Sequence, residues 1–249
     1  MTAFAFPDSP DPIRPDLAAQ YRRVWEHVAS PGTWWTGAER VAIAAETRRA
    51  RTCPHCMESK AALSPFSTAG AHATDGVLPT AIVDAIHRVT TDAARLTKAW
   101  YEDLLASGTT PEQYVEALGV AVQVISIDEF CRALGLGEEP LPSPRTGEPA
   151  RVRPDGARCA DDAWVPTIEA GDVAESERDL YDGIRGSSAP GVIKALSLVP
   201  DEVRSWKELA GAQYLPTGAM MGMTTDRALD RAQIELVAGR VSALNECFY

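Results

Sequence analysis

RTCPHCMESK, residues 51–60, places Pro54 and His55 between two cysteines, Cys53 and Cys56. Such a pair fits a strand-led redox fold, half of a zinc site or the start of a helix, and its flanks choose among them. A thioredoxin-like pair follows a hydrophobic strand in a βαβ setting. The preceding residues here, AAETRRART, are helical in pattern and basic. Cys53 stands where a helix cap would, and Pro54 suits the first helical position, whose N–H is unpaired in any case.

Working outward, the chain reads as all-α. Prolines at first turns and three- or four-residue apolar spacings recur, and alternating strand patterns are scarce. RPDLAAQYRRVWEHVAS puts Leu17, Tyr21, Val24 and Val28 on one face. TGAERVAIAAETRRAR opens with Thr36 and Glu39 three residues on, a capping box. LPTAIVDAIHRV and DAARLTKAWYEDLLASG read as two further helices. In TTPEQYVEALGVAVQVISIDEFCRALGLG, Thr110 caps, Pro111 opens and Gly135 stops a long helix. Being apolar nearly all round from Val115 to Leu134, it is expected to be the central buried one. Trp34 and Trp35, just before the Thr36 cap, are expected to staple that helix to the core.

Residues 136–175 are dense in proline, glycine and charge and read as a linker or surface arm. Helices then resume with SERDLYDGIRG, GVIKALSLV, PDEVRSWKELAGAQYL and DRALDRAQIELVAGRVSALNEC. A boundary near residue 150 divides a unit at 1–150 from one at 151–249. Setting Cys53 on Cys247 without gaps brings Thr36 onto Asp230, Ala38 onto Ala232 and Ala44 onto Ala238. Two similar helical units are the expectation.

The chain has 249 residues, 45% hydrophobic and 24% charged, with a formal net charge of -11. That charge tells against nucleic acid or an anionic membrane as main partner. No apolar run nears the roughly 20 residues of a membrane span. The first residues show no basic leader followed by an apolar core. Five cysteines without such a leader fit a reducing, cytoplasmic setting.

Zinc takes about four ligands at close spacing. Cys131, Cys159 and Cys247 are isolated, and His72 and His87 fall in no paired spacing, so sequence spacing gives no metal site. Two cysteines without a role remain one reading. A redox pair at a helix start is the other. Unpaired N–H groups and the helix dipole would stabilise a Cys53 thiolate by roughly 0.3–1 kcal/mol, and a thiolate is the nucleophile. A sulfenic acid at one cysteine could then close onto the other.

These residues resemble the AhpD-like alkylhydroperoxidases of the carboxymuconolactone decarboxylase superfamily. The family's mark is a glutamate, a Cys-x-x-Cys pair about twelve residues later, and a histidine four residues beyond. RAQIELVAGRVSALNECFY carries Glu235 twelve before Cys247, and the first half carries the complete pair. The resemblance covers about two thirds of the chain. It implies an AhpD-like helical bundle, a thiol-dependent peroxidase without cofactor, a peroxide or disulfide substrate, a thiol electron donor and a homo-oligomer. It also implies Cys56 as attacking thiol and Cys53 as resolving thiol, whereas the helix-end reading makes Cys53 the more acidic.

The first copy departs from the pattern. Val41 stands at the glutamate position and Lys60 at the histidine position. Glu39 and Glu46 lie on the same helix, two before and five after the expected place. Lys60, ordinarily near pKa 10.4, is a poor proton donor to a leaving oxygen. Slow peroxide turnover at this pair follows, with dithiol–disulfide exchange or a structural copy as rivals. In the second copy the motif stops between its cysteines, and the parent gene is expected to continue with Cys, three residues and His.

His55 either tunes the cysteines and carries a proton or is an idle loop-end residue. His87 reads as a surface or interface residue and His72 as a loop residue. Asp128, set in the most apolar helix, calls for an arginine partner. Met220, Met221 and Met223 read as core filling or an adaptable apolar contact.

Overall fold

Side-chain caps at Thr36, Thr97, Thr110 and Asp230 set the starts of four helices. The computed structural model describes residues 3–160, 163–182, 184, 190–219, 222 and 227–245. Its α-helices are α1 (Pro15–Ala29), α2 (Gly37–Ala50), α3 (Pro54–Ala61), α4 (Thr80–Asp92), α5 (Lys98–Ala106), α6 (Pro111–Ala133), α7 (Gly191–Leu196), α8 (Pro200–Gln213) and α9 (Arg231–Leu244). Among the described residues there is no strand, only an isolated bridge between Arg158 and Thr167. The fold is all-α. No described helix is long and apolar enough to cross a membrane.

Thr36 and Glu39 close the expected capping box on α2, and Thr110 with Gln113 forms another on α6. Asp230 and Gln233 cap α9 in the same way, so the helices paired by the internal alignment share their cap as well as their 14-residue length. Gly135 ends α6 with φ 70°, a left-handed conformation that costs glycine little. Trp35 is buried and donates its Nε1–H to the Gln113 carbonyl at 2.9 Å, tying the α2 entry to α6.

Two expected helices are shorter than their sequences imply. DAARLTKAWYEDLLASG breaks after a 3₁₀ turn at Ala93–Arg95, and Thr97 caps α5 anew through the Trp100 N–H. Arg95 explains the break. It binds Asp92 and the Ser59, Lys60 and Ala62 carbonyls at the end of α3. The described residues of SERDLYDGIRG form a 3₁₀ helix, Glu175–Tyr181, in place of an α-helix. There Lys207 Nζ takes the Asp179 and Leu180 carbonyls at 2.9 and 3.0 Å.

The helices pack around α6, most of whose residues from Tyr114 to Asp128 are buried. One apolar cluster joins Tyr21, Val24 and Trp25 of α1 to Ile43 of α2, Ile82 and Ile86 of α4, and Val124 and Ile127 of α6. A second joins Trp100 and Leu104 of α5 to Val115 of α6, Leu196 of α7 and Val203 of α8. The proline-rich segment after α6 runs back over α1: Pro140 accepts from Trp25 Nε1 at 2.8 Å, and Arg145 N–H reaches the Ala29 carbonyl at 2.7 Å. Asp128 finds the expected partner, a two-pronged Arg48 guanidinium at 2.7 and 2.9 Å.

A buried polar cluster joins helices from both sides of residue 150. Arg40 of α2 is fully buried and contacts Glu116 of α6 and, at 2.8 Å, Glu202 of α8. His27 of α1 adds a 3.0 Å contact to Glu202, and Gln123 of α6 another. Close approach here depends on glycine. A Cβ at Gly119 would stand 2.6 Å from the Glu202 side chain, and one at Gly32 would overlap Glu116 and Arg40. Burial works against ionising both carboxylates, yet Arg40 and His27 hold Glu202 below its ordinary value. Burial and the Glu202 charge push Glu116 up despite Arg40.

Removing the cation strands two buried carboxylates. Arg40→Leu is expected to cost about 3–5 kcal/mol, read as a lower urea midpoint with little change in slope. Adding Glu116→Gln and Glu202→Gln should restore part of that loss.

Candidate active site

Three elements meet at the cysteine pair: the C-terminal half of α2, the start of α3, and α4 with the loop leading into it. Pro54 sits in the first turn of α3, and Cys53 precedes it with an extended backbone (φ −69°, ψ 119°). The Cys53 carbonyl accepts from Met57 N–H at 3.1 Å, so Cys56 returns on the same turn. Both cysteines are buried and free.

The loop at residues 62–79 carries His72 back over the pair. Its Nδ1 lies 3.4 Å from Cys56 Sγ and 3.7 Å from Cys53 Sγ. On the far side of the ring, Nε2 meets Asp84 of α4 at 3.0 Å. Asp84 in turn accepts from Arg88 and from Trp100 Nε1 at 2.9 Å. His87 repeats the arrangement from α4: Nδ1 is 3.2 Å from Cys56 Sγ, and Nε2 is 3.1 Å from Glu46 of α2. Glu46 also accepts from Arg49 at 2.6 Å and from Thr74 at 2.7 Å, which pins the loop that carries His72.

The charges follow from these contacts. Burial opposes ionisation of Cys53, but hydrogen bonds from the Cys56 and Ala73 backbone and from His72 and Cys56 outweigh it, lowering the thiol to about 7. Burial would lower His72, but Asp84 and the two sulfurs raise it to about 10. Asp84 is held at about 2: burial raises it, and His72, Trp100 and Arg88 more than offset that. His87 is pushed down by burial and by the neighbouring His72 charge, although Glu46 pulls the other way. The result is an imidazolium, His72, against both sulfurs and a neutral imidazole, His87, against Cys56 alone. Since Glu46 accepts, His87 carries its proton on Nε2 and turns the Nδ1 lone pair toward the Cys56 thiol. A cavity of about 10 Å³, roughly one water in size, lies against Cys56, His72, Phe66 and Arg88.

The site differs in part from sequence expectation. Cys53, Cys56 and Glu46 come together, Glu46 acting through His87. His55 packs its ring 4.9 Å from that of His72, and its buried Nδ1 has no hydrogen-bond partner. Lys60 is exposed on α3 with its carbonyl bound to Arg95, and does not reach the sulfurs as the motif position implied. Glu235 lies on exposed α9, contacting Tyr214 and Arg231. Cys247 and the three methionines lie outside the described residues.

His87 is not a surface residue but fully buried, and His72 does more than fill a loop. Their distances of 16 and 31 residues from Cys56 hide them from any motif. One signal was available: His87 lies one helical turn from Val83, on the apolar face of α4.

No family model, curated protein or solved structure matches this chain.

In reduced, chelator-treated protein, alkylation of Cys53 by iodoacetamide should rise with pH through a midpoint near 7. Because the His72 imidazolium stabilises the thiolate, His72→Ala or Asp84→Asn should move that midpoint upward. Mass mapping of the labelled peptide checks both.

Proposed function

We propose that the chain is a dithiol oxidoreductase that reduces small hydroperoxides through Cys56 and Cys53. The observation that supports this best is the unbroken chain Glu46–His87–Cys56, with Cys53 on the same helical turn. A peroxidatic thiol needs a base to take its proton and an acid to give one to the departing oxygen. His87 offers both, oriented by Glu46. The resemblance expects a glutamate and a histidine where this chain has Val41 and Lys60, and in this reading Glu46 and His87 take those roles from other places in the fold. The ground for expecting slow turnover is thereby removed.

In this reading Cys56, which lines the small cavity, attacks the distal peroxide oxygen. The O–O bond breaks, an alcohol or water leaves with the proton held by His87, and Cys56 becomes a sulfenic acid. The Cys53 thiolate attacks that sulfur, the disulfide forms, and the hydroxyl leaves as water with a proton from the His72 imidazolium. Two electrons from an external thiol donor restore the dithiol. Such a cycle suits a compartment that keeps thiols reduced, such as the cytoplasm. The exposed Leu236, Val237, Val241 and Leu244 of α9 support a homo-oligomer, since a partner surface would cover them.

The test combines stopped-flow peroxide consumption with thiol counting in Cys247→Ser protein. Oxidation should remove two thiols that dithiothreitol restores, and Cys53→Ser or Cys56→Ser should abolish that. His87→Ala should slow peroxide consumption by about 100-fold or more, with Glu46→Gln intermediate, while diamide still closes the disulfide. Peroxide rates no faster than free dithiol, with rapid disulfide exchange, would mark a general exchanger. A pair that no oxidant closes would mark a structural copy.

A further inference from the structure

Cys53, Cys56, His72 and His87 each offer one donor atom, a sulfur or a ring nitrogen, and these four atoms all lie within 4.8 Å of one another. Metal–sulfur bonds of about 2.3 Å and metal–nitrogen bonds of about 2.0–2.1 Å in a tetrahedron separate the donors by roughly 3.4–3.8 Å. The three measured sulfur–nitrogen separations, 3.2, 3.4 and 3.7 Å, match that spacing to within a few tenths of an ångström. We infer that, in the dithiol state, these four side chains form a Cys₂His₂ site for a thiophilic divalent cation, zinc foremost.

Orientation supports this independently of distance. Both imidazoles turn Nδ1 toward the sulfurs, and both rest Nε2 on a carboxylate, His72 on Asp84 and His87 on Glu46. A carboxylate on the far nitrogen fixes ring orientation and raises ligand basicity, as around zinc-bound histidines. The donors come from α3, α4 and the loop between them, so a bound ion would cross-link all three. Two thiolates would neutralise a divalent charge in a site where neither sulfur is exposed. Sulfur and imidazole donors disfavour magnesium and calcium, which take oxygen.

The inference does not depend on the peroxide reading, although the two states share the cysteines. Metal needs both thiolates. Hydrogen peroxide can take one electron from each sulfur and two protons from solvent, becoming two waters while Cys53 and Cys56 join in a disulfide. That removes two of the four donors and releases the ion, so metal-bound and disulfide forms exclude one another.

Cobalt(II) serves as the probe. Reduced, chelator-stripped protein titrated with cobalt should show the visible absorption of a tetrahedral site and a thiolate-to-metal charge-transfer band, saturating at one ion per chain. Zinc should bleach both. Cys56→Ser, His72→Ala and His87→Ala, each checked for helix content by circular dichroism, should lose the tetrahedral spectrum. Asp84→Asn should weaken binding about 10–100-fold, and diamide-oxidised protein should bind none. An absent spectrum, or one indifferent to His87→Ala, would overturn the inference. Thiol counting on metal-free protein keeps the cases apart: a pair that closes reversibly but takes no cobalt defeats the metal site alone. A pair that takes cobalt but never closes defeats the redox reading alone.

Discussion

One buried cation ties α2, the helix that carries Glu46, to α6 and α8. Arg40 lies with no exposure between Glu116 of α6 and Glu202 of α8. Apolar packing tolerates sliding and exchange of similar side chains, whereas a guanidinium so far from water needs anions beside it. Arg40 meets both carboxylates through Nη1, while its buried Nε and Nη2 have no hydrogen-bond partner among the described residues. It sets α2 against α6 and α8 in one register. Glu46 stands six residues further along α2, about 9 Å at 1.5 Å per residue. The contact that positions the helix therefore also positions the carboxylate beneath His87.

Two separate polar routes reach the sulfurs. Glu46 reaches Cys56 through His87, and Asp84 reaches both cysteines through His72. The routes differ in charge because their surroundings differ. Asp84 is anchored by Arg88 and Trp100 and keeps His72 cationic, whereas His87, deeper in the core beside that charge, is held neutral. Two chemically identical thiols thus acquire different neighbours, which is the asymmetry a dithiol cycle requires.

The helices were legible because their signals are local. Capping boxes at Thr36 and Thr110, prolines at Pro54 and Pro111 and the stop at Gly135 all act within a turn or two, and all appear in the fold. The break before α5 was not, because its cause is Arg95 reaching back to carbonyls at the end of α3. The site was half legible for the same reason. Cys53 and Cys56 announce themselves by spacing, and Glu46 by lying on the preceding helix. His72 arrives on an irregular loop with no periodicity, fixed by Glu46 contacts to Thr74 that only the tertiary structure creates. Lys60 was drawn in by the motif position, but the course of α3 turns it to solvent.

The central claim is that two carboxylates hold two histidines against two thiols in different charge states. Imidazole nitrogen chemical shifts in reduced, chelator-treated protein report this directly. The account predicts that His72 carries protons on both nitrogens at pH 7 to 8, and that His87 is neutral there with its proton on Nε2. Two histidines that titrate together near the free-imidazole value of about 6.5, with no fixed tautomer, would contradict it.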